Sequence, residues 1–163
     1  MSSLDQLYQQ VILDHSRKRT GSGDVSDFDF TSFQVNPTCG DEVTLGVRVG
    51  PDGTPTEVTW DGSGCSISQA SLSMLAEALE GADLEQVRAL YAGMEQMMHS
   101  RGSGTPDDVL DLLGDSASLE GTSKFPNRIK CALLGWYALR DALAKAGTDI
   151  TDTTTAEDEE KHG

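Results

Sequence analysis

Hydrophobic residues recur with a helical period in most of the chain and with a period of two between residues 33 and 60. Apolar positions three and four residues apart indicate amphipathic helices, because such positions share one helix face. The pattern predicts helices at Ser3–Arg19, between Ser66 and Gly81, at Leu84–His99 and at Pro126–Ala146. Ser66 and Gln69 have the spacing of a capping box. Residues 100–125 lack a sustained period, so we expect mostly loop there, with a short helix at Asp107–Leu113.

Three short segments alternate between apolar and polar positions, which is typical of strands in a half-buried antiparallel sheet. The alternating apolar residues are Phe33 and Val35, then Val43, Leu45, Val47 and Val49, then Val58 and Trp60. The turn Pro51–Pro55 is expected to join the second and third strands as a hairpin. Strands grouped ahead of most of the helices predict an α+β fold, with a small antiparallel three-stranded sheet packed with helices.

The length of 163 residues suits a single domain, which we place at residues 1–147. The remaining segment, 148–163, holds six acidic residues and one lysine and has no aromatic residue. Such a composition cannot bury enough apolar surface to fold, so we expect an acidic disordered tail.

The net charge limits the classes of partner that the protein could bind. Against 12 basic residues stand 27 acidic ones, for a net charge of −15. That sign argues against a nucleic-acid binder and against docking on an anionic membrane. Residues 1–20 do not resemble a signal peptide, and no run of apolar residues is long enough to span a bilayer. We therefore expect a cytoplasmic protein.

Each of the three cysteines lies at a predicted boundary between elements. Cys39 falls between the first two strands, Cys65 between the third strand and its helix, and Cys131 in the first turns of the last helix. Loops at one end of a small sheet can converge on a helix terminus, where Asp41 would complete a set of four ligands. Thiolates with one carboxylate suit tetrahedral Zn²⁺. Isolated cysteines are also common as small buried hydrophobic residues, and spacing alone leaves both interpretations open.

Four segments resemble the IscU/NifU-N superfamily of iron–sulfur cluster assembly proteins: NPTCGDEV, WDGSGCSISQAS, RIKCALLGW and LYQQVILDHSRKR. The resemblance spans about residues 4–146. Two features resemble the SufU branch. Lys130 stands where scaffold members usually carry a histidine, and 66 positions separate Cys65 from Cys131, consistent with an insertion around 82–105. The sequence departs from the family in SRKRTGSG, after His15, where a proline and an asparagine are common.

The resemblance implies an IscU/SufE-like fold and a zinc ion held by Cys39, Asp41, Cys65 and Cys131. It implies a zinc-dependent sulfurtransferase that works only with a partner protein, with Cys39 as the sulfur acceptor. The implied donor is a SufS-type, pyridoxal-phosphate-dependent cysteine desulfurase, in which a histidine takes the zinc position and the freed Cys39 attacks the persulfide. The sulfur would then pass to downstream iron–sulfur assembly scaffold proteins.

Two other functions fit the same residues. A cluster assembly scaffold would bind [2Fe–2S] through these thiolates, although Lys130 and the long gap count against it. A non-catalytic zinc-stabilised interaction module would use the metal only to hold the fold, and Cys39 would then never carry a persulfide. Asp41 disfavours that module, because most closed structural zinc sites use only cysteine and histidine.

A small group of basic residues surrounds the third cysteine motif of this acidic chain. Lys124, Arg128 and Lys130 lie at the start of the last predicted helix. A solvated helix start would explain them, but cations there would also offset the negative charge of the proposed site. Arg128 is the residue expected to contact a partner. His15 is explained by its place on the first helix and is assigned no chemical role.

Overall fold

The computed structural model describes residues 3–151. In chain order its elements are α1 (Ser3–Lys18), β1 (Phe30–Asn36), β2 (Asp41–Val49), β3 (Pro55–Ser63), α2 (Ser66–Leu79), α3 (Leu84–His99), α4 (Asp107–Leu113), a 3₁₀ helix (Gly114–Lys124) and α5 (Pro126–Lys145). The predicted α+β class with a three-stranded sheet is confirmed. Within the described range, no helix is both long enough and apolar enough to cross a membrane.

The sheet brings the cysteine-bearing segments to one edge. Its strands run antiparallel in the order β1-β2-β3. Asn36 at the end of β1 lies opposite Asp41 at the start of β2, and Glu42 lies opposite Ser63 at the end of β3. The β1–β2 turn and the link from β3 to α2 therefore leave the sheet at the same end.

Strand alternation decides which face of the sheet is covered. Successive side chains of a strand point to opposite faces, so one face of β2 and β3 collects their buried apolar residues. Val43, Leu45, Val47 and Trp60 are all buried in the core. On the other face, Phe33 and Val35 remain exposed. The helices therefore cover a single face of the sheet.

Helices α2 and α5 pack closely against each other. A Cβ at Gly135 of α5 would lie 2.5 Å from Leu72 Cδ2 of α2, so glycine permits this approach. The region around 82–105, expected to be an insertion, forms α3 and contributes to the core. Its buried side chains are Val87, Leu90, Tyr91, Met94, Met97 and Met98.

Helix α1 buries only part of its predicted apolar face. Leu4 and Leu7 are exposed, whereas Val11 and Ile12 pack against the core. The helix ends at Lys18, and Arg19 adopts a φ of 51°, in the left-handed region, which stops it one residue before the predicted end. The exposed leucines lie in the first turns of the helix.

Residues 114–124 form a 3₁₀ helix and not the loop that the sequence predicted. The segment has no apolar period because several of its buried residues are serines. Ser118 Oγ donates to the Asp115 carbonyl at 2.7 Å, and Ser123 Oγ donates to the Glu120 carbonyl at 2.7 Å. Because these hydroxyls find partners within the segment, the polar residues can be buried with it.

The folded body extends beyond residue 147, where the domain was expected to end. Ile150 is fully buried in the core, and Thr148 Oγ1 donates to the Gly53 carbonyl at 3.0 Å. Arg88 Nε donates to the Asp149 carbonyl at 3.1 Å. These contacts join the start of the predicted tail to the domain. The rest of that tail, 152–163, lies outside the described residues, and its disorder stays a prediction.

His15 joins three elements through side-chain hydrogen bonds. Its side chain is 2% exposed. Nδ1 lies 2.8 Å from Ser73 Oγ of α2, and Nε2 lies 2.9 Å from Asp115 Oδ2 of the 3₁₀ helix. Ser73 Oγ also accepts a hydrogen bond from the Thr20 N–H at 3.0 Å. The imidazole therefore has a structural role that its position on an amphipathic helix did not reveal.

Replacing this imidazole should destabilise the fold. His15→Ala removes the partner of Ser73 and Asp115, and we expect a loss of about 1–3 kcal/mol in the free energy of unfolding, measured by urea denaturation. His99→Ala is the matched control, because His99 is exposed at the end of α3, and it should change stability by about 0.5 kcal/mol or less. Equal losses in the two variants would contradict this role for His15.

Candidate metal centre

The structure gathers the four residues predicted as ligands at one end of the sheet. One donor atom each from Cys39, Asp41 and Cys131 lies within 4.8 Å of the other two. Cys65 Sγ lies 3.9 Å from Asp41 Oδ2. The donors come from the β1–β2 turn, the first residue of β2, the residue before α2 and the second turn of α5. Residues 92 positions apart in sequence thus meet in one small cluster.

Asp41 is the organising residue of this cluster. It is fully buried, and its Oδ1 accepts hydrogen bonds from the Cys65 N–H at 2.8 Å and from Ser68 Oγ at 3.3 Å. These bonds fix the carboxylate and leave Oδ2 directed at the Cys65 sulfur. One oxygen is therefore held by the protein while the other remains available as a ligand.

The same carboxylate replaces the capping box predicted at the start of α2. The N-cap residue is Cys65, without a side-chain cap, and Ser66 is exposed in the first turn. Neither polar atom of the buried Gln69 side chain has a hydrogen-bond partner among the described residues. The Ser66–Gln69 prediction was wrong because Asp41, from another element, satisfies the backbone at the helix start. The N-terminus of α2 in turn favours negative charge at the cluster.

The three thiols differ in their access to solvent. Cys39 is exposed, Cys65 is partly buried and Cys131 is buried. Cys39 sits in a turn whose backbone is fixed, because its N–H and that of Gly40 both donate to the Asn36 carbonyl, at 3.2 and 2.9 Å. Of the three cysteines, Cys39 is therefore the most accessible to a large partner.

Cys131 is held deep in the cluster. Its Sγ lies 3.5 Å from the Asn127 carbonyl oxygen and 3.6 Å from Asn36 Nδ2. Burial raises the pKa of the Cys131 thiol, and hydrogen bonds to Asp41 and Cys39 act in the same direction. Without a compensating cation, this crowded set of acidic groups disfavours the thiolate.

The donor set has the chemistry of a four-coordinate site for a divalent ion. Three sulfurs and one carboxylate oxygen match the ligands that Zn²⁺ accepts in proteins. Ionised together, these groups carry four negative charges, which the ion would partly neutralise. An iron–sulfur cluster also binds cysteine thiolates, so the donors alone do not select the metal.

Arg128 lies three residues before Cys131 in α5 and supplies none of the four donor groups. It is exposed, and its guanidinium lies 5.0 Å from the centroid of the Phe125 ring. Both side chains line a groove of about 290 Å³, together with Tyr8, Ile12 and Ile67. A partner contact at Arg128 remains a prediction.

A second cluster with metal-ligand chemistry lies elsewhere in the fold. His15, Glu77 and Asp115 each offer a ligand atom within 4.8 Å of the others. Lys18 Nζ lies 2.8 Å from Glu77 Oε2, so a cation already occupies this position. The cluster is therefore explained as a polar contact between helices.

Sequence reasoning missed the role of Ser68 and the identity of the group that Gly64 approaches. Ser68 bonds the Asp41 carboxylate, and Gly64 makes room for it. A Cβ at Gly64 would lie 2.3 Å from Asp41 Oδ1 and 2.7 Å from Ser68 Oγ. The glycine in the motif GSGC was a visible signal, but the group it approaches lies on another strand.

Adding a methyl group at Gly64 should disturb the centre. Gly64→Ala would push Asp41 away from its hydrogen bonds, and we expect zinc affinity to fall by about 10–100-fold in competition with a chromogenic chelator. Gly121→Ala is the matched control, because a Cβ there meets nothing within 4 Å. A folded Gly64→Ala protein that binds zinc as tightly as the wild type would contradict this account of the centre.

Comparison with known proteins shows the family to which the chain belongs. The chain matches the family model of the NifU-like N terminal domain over residues 7–145. It is 40% identical over 144 residues to the zinc-dependent sulfurtransferase SufU of Bacillus subtilis (strain 168), which covers 88% of this chain and 94% of that protein. It is 33% identical over 159 residues to the iron–sulfur cluster assembly scaffold protein IscU of Streptococcus pyogenes serotype M1, covering 96% of each.

A solved structure extends the match to three dimensions. The crystal structure of a putative iron–sulfur cluster assembly scaffold protein for the SUF system, from Fervidobacterium islandicum AW-1, superposes with a TM-score of 0.71 and 29% identity. The superposition covers 87% of this chain and 99% of that one. The resemblance carried by the cysteine motifs is thereby confirmed. This chain belongs to the family of the NifU-like N terminal domain, within the IscU/NifU-N superfamily.

Proposed function

We propose that this protein is a zinc-dependent sulfurtransferase that accepts sulfur on Cys39 from a cysteine desulfurase and delivers it to iron–sulfur cluster assembly. The observation that carries the proposal is the unequal exposure of the three clustered thiols, of which Cys39 is the exposed one. A sulfur acceptor must be reached by the donor enzyme, whereas ligands that only hold a metal need no access. The similarity to a protein named as a zinc-dependent sulfurtransferase supports the same function.

The proposed zinc ligands are Cys39, Asp41, Cys65 and Cys131. Donor atoms of Cys39, Asp41 and Cys131 lie within 4.8 Å of one another, and Cys65 Sγ lies 3.9 Å from Asp41 Oδ2. The Cys65 N–H and the Ser68 hydroxyl both donate to Oδ1 of the buried Asp41 carboxylate, so Oδ2 can serve as the ligand. When bound, zinc would keep the thiols deprotonated without taking part in redox chemistry. Cys39 lies on the short β1–β2 turn, whereas Asp41 lies in a strand and Cys131 in a helix. It can leave the centre without disturbing the sheet.

Cys39 is the nucleophile of the proposed transfer. A free thiol with a pKa of about 8.5 is only about 3% thiolate at pH 7, so activation of the sulfur matters. The Cys39 thiolate attacks the terminal sulfur of the persulfide on the desulfurase. A new S–S bond forms on Cys39 as the S–S bond on the donor breaks, and the donor cysteine leaves as a thiolate. The electrons balance, and no oxidant or reductant is needed.

The proposed donor is a SufS-type, pyridoxal-phosphate-dependent cysteine desulfurase, and the proposed recipients are downstream iron–sulfur assembly scaffold proteins. Arg128 is exposed in α5, three residues before Cys131, and is proposed to contact the desulfurase. A reducing compartment, the cytoplasm, would keep Cys39, Cys65 and Cys131 available as thiols.

Sulfur loading of Cys39 tests this function. The purified chain is analysed for zinc and iron, and is then incubated with a SufS-type desulfurase, pyridoxal phosphate and free cysteine. Intact mass should increase by one sulfur atom in the wild type and stay unchanged in Cys39→Ser. Peptide mapping of the loaded wild type should place the sulfur on Cys39, with the buried Cys131 as the internal control.

Two other results would redirect the proposal. Iron and sulfide with visible cluster absorption would favour a scaffold, the function named for the Streptococcus pyogenes relative. Zinc without any sulfur on Cys39 would leave a metal-stabilised interaction module, and the transfer mechanism would be wrong.

A further inference from the structure

Asn36 forms hydrogen bonds both to the turn that carries the exposed Cys39 and to the buried Cys131. It is the last residue of β1 and is 3% exposed. Its backbone carbonyl accepts from the N–H groups of Cys39 and Gly40. Its side-chain Nδ2 donates to Cys131 Sγ at 3.6 Å, and in the strand register it lies opposite Asp41. One residue thus touches segments that provide three of the four proposed ligands.

We propose that Asn36 is a positioning residue whose amide holds Cys131 Sγ in place as an anchor of the metal while Cys39 moves to react. The inference rests on the proposed function, because it takes these cysteines as metal ligands. A metal-bound sulfur carries no hydrogen and makes hydrogen bonds only as an acceptor. Asn36 Nδ2 is a donor aimed at that sulfur, whereas the nearby Asn127 carbonyl can only accept.

The two halves of Asn36 act on the two thiols separately. The bonds that shape the Cys39 turn go to its backbone carbonyl, so they survive any change of side chain. The bond to Cys131 belongs to the side-chain amide alone. Because β1 is paired with β2 up to this residue, the amide keeps its place when the Cys39 side chain swings out. Departure of Cys39 therefore leaves the hydrogen bond to Cys131 intact.

Because the Asn36 amide is buried, its hydrogen bond to Cys131 Sγ should hold that sulfur in place. A buried side-chain N–H that loses its acceptor costs free energy, so the amide resists displacement of Cys131. Hydrogen bonds from outer groups to metal ligands orient them, and their loss commonly weakens metal binding by about 10–100-fold. Cys39 is exposed, and its Sγ lies 4.0 Å from the Asn127 carbonyl oxygen, farther than the 3.5 Å that separates Cys131 Sγ from the same oxygen. This contrast is what an anchor and a mobile acceptor require.

Substitution of the side chain tests the proposal directly. Asn36→Asp keeps the shape but removes the N–H donor, and Asn36→Ala removes the whole amide. Ser32→Ala is the matched control, because Ser32 is 1% exposed on the same strand and lies away from the thiols in the register. Each variant is made in the wild type and in a Cys39→Ser background. Zinc affinity is measured by chelator competition, and cobalt-substituted protein reports the sulfur-to-metal charge-transfer band.

We expect both Asn36 variants to lower zinc affinity by about 10–100-fold and to shift the cobalt charge-transfer band, with a larger loss in the Cys39→Ser background. Ser32→Ala should leave affinity and band unchanged. With excess chelator, Asn36→Ala and Ser32→Ala should have similar melting temperatures although only Asn36→Ala loses zinc affinity, which a merely structural role would not predict.

Asn36→Asp and Asn36→Ala proteins with wild-type affinity and an unshifted cobalt band would overturn the proposal. The outcome is separable from that of sulfur transfer. If Asn36 variants loosen the metal but Cys39 accepts no sulfur, the positioning role stands and the transferase function fails. If Cys39 is loaded and the variants bind zinc normally, transfer stands and the positioning role is wrong.

Discussion

The hydrogen bond from the Cys65 N–H to the Asp41 carboxylate joins the first residue of β2 to the start of α2, and the geometry of the centre depends on it. Burying a carboxylate is costly unless hydrogen bonds or a cation compensate its charge. Here two donors hold one oxygen, and the other oxygen faces sulfur. Gly64 allows the loop to approach closely enough for this bond to form. The arrangement fixes Cys65 and Asp41 relative to each other before any metal is considered.

The other two cysteines of the cluster differ in their exposure to solvent. Cys131 is enclosed on α5, whereas Cys39 lies on a short turn and is exposed. Nothing in the chemistry of the three thiols distinguishes them, so their different roles must come from where the fold puts them. A transferase needs this inequality: ligands that stay and one that leaves. A purely structural metal site gains nothing by exposing a thiol.

Much of the fold follows from the sequence because its periods are clear. The alternation from Val43 to Val49 fixed β2 within two residues of its start, and α4 spans the predicted residues 107–113. The centre was also foreseeable, because three cysteines at element boundaries meet when those boundaries share one end of a sheet. What the sequence could not supply were contacts between distant elements. His15 with Asp115, and Asp41 with the start of α2, have no local signature.

The sequence did not predict the 3₁₀ helix, for a related reason. Its serines are satisfied by nearby carbonyls, so burial there follows hydrogen bonding and not an apolar period. Asn36 is similar, since its sequence position next to the first cysteine motif says nothing about a sulfur 95 positions away. Sequence patterns thus located the elements, and tertiary contacts assigned the roles of single polar side chains.

The most direct test of the central claim is zinc K-edge X-ray absorption of the purified wild-type chain. The account predicts one zinc with three sulfur neighbours at about 2.3 Å and one oxygen at about 2.0–2.2 Å, with the oxygen lost or replaced in Asp41→Ala. A zinc ion surrounded by nitrogen and oxygen, or one whose four neighbours in the wild type are all sulfur, would contradict it.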